Sequence, residues 1–154
     1  MDVTLSRYVP PVTPRPRVEA IRVRCVIFEI FTLSNSVVTV KPSGFFADIF
    51  STTGFDAISF HRVAVWSGAV MKSEPTDFNP VPDIRVHYIL PDGNTAWPSF
   101  QSTAAGYNLV ARVGFHVPSH MSGPFTKNNT TGFLRVEASE GVHSVRVEID
   151  ATFM

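Results

Sequence analysis

The stretch Ser144-Val145-Arg146-Val147-Glu148-Ile149-Asp150-Ala151 decides how this chain is read. Val145, Val147, Ile149 and Ala151 alternate with Ser144, Arg146, Glu148 and Asp150, the two-residue period of a strand with one face in a core and one in water. Upstream, Phe133-Leu134-Arg135-Val136-Glu137-Ala138 is also strand-like, and Glu140-Gly141 makes a tight turn between the two runs. The strand pattern continues to Phe153-Met154, so the chain is expected to finish inside a sheet. A chain that ends in a sheet, with no helix of ordinary length and no recognisable active site, points to a building block rather than a catalyst.

The rest of the sequence extends this reading. Thirteen Phe and twelve Pro among 154 residues favour strands separated by breaks, and the length suits one all-β domain with a sizeable core. A long strand is expected over 18–33, with Ser34-Asn35 as a turn and Val37-Val38-Thr39-Val40 as the return strand. Lys41-Pro42-Ser43-Gly44 breaks the pattern, and 45–50 reads as a single helical turn capped by Ser43. A strand over 57–70 has the inward set Ile58, Phe60, either Arg62 or Val63, and Val65. Residues 73–82 form a proline-rich loop, and 84–90 form a strand ended by Pro91-Asp92-Gly93-Asn94. A short strand over 96–101, a stronger one over 108–117 stopped by Pro118, and a polar loop over 119–131 lead to the closing pair. These eight strands predict an all-β, eight-stranded antiparallel jelly-roll sandwich of two Greek-key sheets over 18–154. Residues 1–17 form an extended arm, because Pro10, Pro11, Pro14 and Pro16 withhold ladder donors.

Thirteen basic and thirteen acidic residues cancel, which argues against a freely basic nucleic-acid binder and leaves little repulsion against self-association. The charge is unevenly placed. Arg7, Arg15, Arg17, Arg22 and Arg24 face only Asp2 and Glu19 at the start of the chain, so the remainder is net negative. Arg15, Arg17, Arg22 and Arg24 are therefore the candidate phosphate-contacting residues of a nucleic-acid face. Guanidinium forks fit phosphates, an extended arm tracks a backbone without reading bases, and alternate spacing turns each pair to one side. Their plainer reading is a solvated edge.

The chain offers little other chemistry. Cys25 is the sole cysteine, which excludes an intrachain disulfide, and its mid-strand place fits a small buried hydrophobe better than a nucleophile. His116 and His120 straddle Pro118 with no acid close in sequence, so no metal site is assigned. His61 and His87 are expected on polar strand faces or as hydrogen-bonded core residues. Trp66 and Trp97 lie in or beside apolar segments and read as core or subunit contacts rather than base-stacking platforms. Asn128-Asn129-Thr130-Thr131 holds two overlapping glycosylation sequons and reads as a polar loop. No nucleophile elbow, phosphate-binding glycine loop or paired carboxylate motif occurs. No apolar run has the length of a signal peptide core or a membrane span, so no membrane partner is expected. The thirteen Phe and positive mean hydropathy predict exposed apolar patches for association. Asp48, Asp56, Asp77 and Asp83 are expected to approach a neighbouring subunit's arginine or a divalent ion.

The segments Phe28-Glu29-Ile30, Val37-Val38-Thr39-Val40-Lys41-Pro42 and Gly44-Phe45-Phe46-Ala47-Asp48-Ile49-Phe50 carry a family likeness, as do 111–118 and the closing pair. In order and spacing they resemble the small single-jelly-roll coat proteins of plant viruses, of the satellite tobacco mosaic virus type, with tymovirus-like coats as second choice. The resemblance implies a viral capsid protein, neither enzyme nor cofactor-dependent, that self-assembles into a T=1 icosahedral shell of about sixty copies. It further implies a single-stranded RNA partner inside, an inward-reaching arm, a virion location and assembly in the host cytoplasm. The chain departs from the family at its start: Met1-Asp2-Val3-Thr4-Leu5-Ser6 holds no base, where the family's arm opens with a Lys/Arg run. Two other classes stay open. One is a carbohydrate- or ligand-binding β-sandwich using Trp66, Trp97 and Tyr107 as a platform. The other is a cupin-like enzyme needing histidines and an acid around one metal.

Overall fold

The computed structural model describes residues 22–68, 81–95, 99–105 and 109–154. Strand β1 (Val23–Thr32) is followed by β2 (Val37–Val40), two short helices, α1 (Pro42–Phe45) and α2 (Ala47–Thr53), and the long strand β3 (Ala57–Ser67). Then come β4 (Asp83–Tyr88), β5 (Phe100–Thr103), β6 (Arg112–His116), a 3₁₀ turn (Ser119–Met121), β7 (Phe125–Thr126), β8 (Leu134–Ala138) and β9 (Ser144–Phe153). One sheet has the order β1-β9-β3-β6, with the two-residue β7 beside the start of β3, and the other has the order β2-β8-β4-β5. Every pairing is antiparallel. Apart from β4 to β5 and β6 to β7, each strand's successor lies in the opposite sheet. That alternation makes the sandwich a jelly roll.

The period-two runs explain which faces close on each other. In β9, Val145, Val147, Ile149, Ala151 and Phe153 are buried, as the alternation predicts. Leu134 and Val136 of β8 face the same core, and Ile84, Val86 and Tyr88 join them from β4. Of the thirteen Phe, eight are buried: Phe45, Phe46, Phe50, Phe60, Phe115, Phe125, Phe133 and Phe153. The core thus takes most of the Phe, and the exposed apolar surface expected from composition falls chiefly on β1 rather than on the Phe as a group. Among the described Phe only Phe28 is strongly exposed.

Several local expectations are corrected. The turn after β1 places Asn35 and Ser36 at φ 54° and 65°, but β2 does not fold back along β1. Beyond the single bridge Ser34–Val37 it pairs with β8. The turn is a corner between sheets, and Glu140-Gly141 likewise carries the chain from β8 in one sheet to β9 in the other. Ser43 is not a helix cap: Lys41 holds the N-cap position of α1 and Pro42 the first turn, where its missing N–H costs nothing. The expected single turn is two short helices. They are held by burial of Phe45, Phe46 and Phe50, with the Phe46 ring 5.3 Å from Phe153 and 6.1 Å from both Phe60 and Phe133.

The first strand is described from Val23 and the third ends at Ser67; the remaining expected parts, 18–21 and 69–70, lie outside the described residues, as does most of the 73–82 loop. The short strand expected over 96–101 is found at Phe100–Thr103, with 96–98 outside the described residues. The loop over 119–131 contains the 3₁₀ turn and β7. The choice between Arg62 and Val63 is settled by a β-bulge between Phe60 and Arg62. The extra residue lets Ile58, Phe60, Val63 and Val65 all face the core, while Arg62, Ala64 and Trp66 face outward.

Candidate nucleic-acid interface

The outward face of the β1-β9-β3-β6 sheet gathers arginines that lack a carboxylate partner among the described residues. Register fixes three rows across it. Ile30, Arg146, Trp66 and Arg112 form the first; Phe28, Glu148, Ala64 and Gly114 the second; Val26, Asp150, Arg62 and His116 the third. The side chains of the first row lean together. The Arg146 guanidinium carbon lies 4.4 Å from the Phe28 ring centre and 5.6 Å from that of Trp66, and the Arg112 carbon lies 5.2 Å from Trp66. An aromatic and a guanidinium thus alternate from β1 to β6. Each contact contributes about 0.5–1 kcal/mol at an exposed site. Stacking holds the guanidinium planes while leaving their N–H edges for a ligand.

The second row is low at its β3–β6 end, where Ala64 and Gly114 are small. Ala64 is covered by its taller neighbours, and Gly114 has no side chain, so the Arg112 guanidinium lies close to where a Cβ would be: 3.0 Å from Nη2 and 3.2 Å from Cζ. The result is a shallow depression lined by Arg62, Arg112, Gly114, Phe115 and His116. Among the described residues, no carboxylate forms an ion pair with Arg62, Arg112 or Arg146. The face carries four arginines, counting Arg24, against two carboxylates, Glu148 and Asp150, a balance of +2.

The residues singled out from sequence fall as follows. Arg15 and Arg17 lie outside the described residues. Arg22 is exposed just ahead of β1. Arg24 is on the same outward face and grips Asp150 with two bonds, Nε to Oδ1 at 3.0 Å and Nη2 to Oδ2 at 2.9 Å. This grip, with partial burial opposing it, holds the Asp150 carboxyl below its ordinary value and raises Arg24. Cys25 is half-buried and packs on the core side of β1; burial, with Asp150 second, pushes its thiol up. His61, the residue at the bulge, places Nε2 2.6 Å from the Thr152 hydroxyl. His116 and His120 are both exposed, on the sheet face and in the 3₁₀ turn. Among the described residues, no three His, Cys, Asp or Glu side chains gather in a metal-binding group. Trp66 is not a core residue, since it stands half-buried on the outward face; Trp97 and Tyr107 lie outside the described residues.

The opposite sheet's outward face has a different character. Arg135 pairs with Glu137, His87 Nε2 approaches the Glu137 carboxylate at 3.6 Å, and Arg85 donates to Gln101 at 3.4 Å. Gln101 and Thr103 in turn donate to Asp83. Arg85 and Arg135 balance Asp83 and Glu137 in number, although Arg85 meets the neutral Gln101 amide rather than a carboxylate. Of the four aspartates expected at contacts, Asp56 pairs with Lys127 at 3.0 Å and Asp83 is held as above. Asp48 is exposed on α2, and Asp77 lies outside the described residues. The grouping of Arg62, Arg112, Arg146 and Trp66 was missed in the sequence. Arg112 and Arg146 each occupy the polar phase of an alternating run, but only strand order shows that the runs flank β3.

No protein-family model matches the sequence, and no curated protein sequence matches it. Among solved structures, the chain is similar to that of a virus-like particle of the extra small virus (XSV) of the giant freshwater prawn Macrobrachium rosenbergii. The TM-score is 0.59 and the identity 14%, over 95% of this chain and 86% of that one. It is also similar to the chain of the empty head of turnip yellow mosaic virus, with a TM-score of 0.51 and 10% identity over 94% and 85% of the two chains. The fold is one that viral particles use. At these identities the likeness is one of fold.

Proposed function

We propose that this chain is a viral capsid protein that self-assembles into a closed icosahedral shell around single-stranded RNA. The observation that carries the reading is the interleaved strand path, β1-β9-β3-β6 over β2-β8-β4-β5, spanning nearly the whole chain and similar over that span to the XSV particle protein. Self-association is further supported by β1, an edge strand whose outward residues Val26, Phe28 and Ile30 are 59%, 60% and 66% exposed. An apolar stripe of that kind on an open edge is stable in solution chiefly when another surface covers it. The role is structural and needs no catalysis. A T=1 shell of the satellite-virus type, a virion location and assembly in the host cytoplasm belong to the same proposal.

Arg15, Arg17, Arg22 and Arg24 are proposed to contact RNA phosphates. Arg24 contributes least, because two of its five donors already hold Asp150. The test is to express the full chain and examine it by size-exclusion chromatography, negative-stain imaging and absorbance at 260 and 280 nm. Closed particles containing RNA are expected, with less RNA in an Arg15→Ala/Arg17→Ala variant. A monomer that persists at high concentration across pH and salt would refute the capsid reading. Particles of unchanged RNA content in the double variant would remove the arm arginines from the contact.

A further inference from the structure

We infer that the outward face of the β1-β9-β3-β6 sheet is itself an RNA-backbone site, with Arg62, Arg112 and Arg146 as its phosphate-binding residues and the depression at Gly114 as the seat for a phosphate. The inference rests on the capsid reading for its partner, while the site rests on geometry. Three guanidiniums share one face, none in an ion pair with a carboxylate among the described residues, although Arg62 stands opposite Asp150 and its charge helps lower that carboxyl; the face balance is +2. Arg112 and Arg146 stand on strands separated by β3, about 10 Å apart at the backbone. Between them the Trp66 ring centre lies 5.2 Å from the Arg112 and 5.6 Å from the Arg146 guanidinium carbon. Two planar forks spaced along one line suit successive anionic groups of a polymer better than a single small anion.

The depression beside this ladder is open at Gly114, which is exposed and has no side chain, and Arg62, Arg112 and His116 stand around it. Phosphate oxygens lowered there meet N–H donors from two strands. Glu148 lies in the same row and opposes the anion, so the site is tuned below its maximal affinity. Trp66 acts as a positioning residue. Nothing on the face reads base edges, so recognition is by backbone and tolerant of sequence. A shell built from this chain would turn this face to its lumen, and the net-neutral chain would neutralise RNA by concentrating its unpaired positive charge there rather than by a long basic arm.

The experiment uses the full chain in two forms. Unassembled subunits are titrated with fluorescein-labelled oligouridylate across a KCl series, and particles are assayed for RNA per subunit. Replacing Arg62, Arg112 and Arg146 with Ala is expected to lower packaged RNA several-fold and to flatten the log–log salt slope by about 2, from about 0.7 per lost phosphate contact on a single strand. Gly114→Leu keeps every charge but fills the floor and pushes away the Arg112 guanidinium, 3.0 Å from the Cβ position, and should weaken binding about tenfold or more. Glu148→Gln removes the opposing charge and should tighten binding, a gain that a purely structural role would not produce. Arg85→Ala on the other sheet should change neither readout. Circular dichroism on each variant separates loss of binding from loss of fold, and Glu148→Gln reads the site even where the triple variant does not fold. If wild-type slope and RNA content persist in the folded triple variant, or if Gly114→Leu and Glu148→Gln both bind as wild type, the inference is overturned while the capsid reading stands. If the chain forms no particles yet binds oligouridylate through these residues, the capsid reading fails and the site stands. If the triple variant loses assembly but its subunits keep the wild-type slope, the face is a subunit contact and the inference falls.

Discussion

Gly132 sits at φ 87°, and a Cβ there would lie 2.7 Å from Thr39 Cγ2 and 2.9 Å from the Val40 carbonyl oxygen. Its N–H donates to the Asn129 side chain at 2.8 Å, so the loop entering β8 is pinned against β2 at this point. Gly132→Ala combines a left-handed backbone with contact against main chain that cannot yield. It is expected to cost about 1–3 kcal/mol and to lower the midpoint of thermal unfolding. At the same scale, hydrogen bonds from Arg24 and from Arg135 hold the carboxyls of Asp150 and Glu137 below their ordinary values of 3.8 and 4.5. Groups depressed in this way stabilise the fold fully above their unfolded values and lose that contribution as pH falls through the folded ones. Urea titrations should therefore show stability flat near neutrality and declining below about pH 4.5, and Asp150→Asn should shallow that acid slope. Both partners of the Arg24 pair are exposed enough for solvent to screen it, so the effect is small. Arg135 and Glu137 share one face of a strand by alternation, but the Arg24 pair could not be read from the sequence as such. Arg24 and Asp150 are 126 residues apart, and alternation shows only that each faces away from its own strand's core side.

Among the elements, the strands were legible and their neighbours were not. Val145 to Ala151, Ile84 to Tyr88 and Val63 to Val65 announce their buried phase through period two, because a half-buried strand has no other stable pattern. Sheet membership depends on corners. Asn35-Ser36 and Glu140-Gly141 look like hairpin turns, yet each lifts the chain into the opposite sheet, a choice made by the packing of the whole sandwich. The arginine–aromatic ladder shares that limit, since Phe28, Arg146, Trp66 and Arg112 come from four strands. The bulge at His61 was visible only as a conflict of phase: strict alternation from Ile58 and Phe60 would send Arg62 inward, and Val63 and Val65 outward. The two short helices escaped because propensity does not hold them. Phe46 does, with its ring 4.5 Å from Phe45, 5.3 Å from Phe153 and 6.4 Å from Phe50. Phe46→Ala should cost about 3–5 kcal/mol and leave a cavity between the helices and the sheets, measurable by denaturant unfolding. Release of α1 and α2 should then appear as rapid amide exchange over 42–53 while β9 stays protected.

Across the whole molecule, the two outward faces differ in how their charge is used. On the β2-β8-β4-β5 sheet, Arg135 pairs with Glu137, and Arg85 and Asp83 are linked through Gln101, so two arginines and two carboxylates balance. On the β1-β9-β3-β6 sheet, arginines stack on aromatics without carboxylate partners among the described residues, beside the apolar stripe of Val26, Phe28 and Ile30. A shell has two environments to fill, bulk solvent and a polyanion with its neighbouring subunits. Burying unmatched cations against RNA relieves them, whereas turning the internally paired face inward would strand a dense polymer against surface it cannot neutralise. The expected orientation therefore places the first sheet toward the lumen. In a Cys25→Ser background, Thr39→Cys would put a thiol on the exposed outward side of β2, and Thr32→Cys would put one on the outward side of β1. A maleimide on a polyethylene glycol chain too large to enter the particle should label the thiol at 39 in intact shells. It should reach the one at 32 only after disassembly in high salt. Labelling of position 32 in intact, RNA-filled particles, with position 39 protected, would reverse the orientation and with it the assignment of the RNA face.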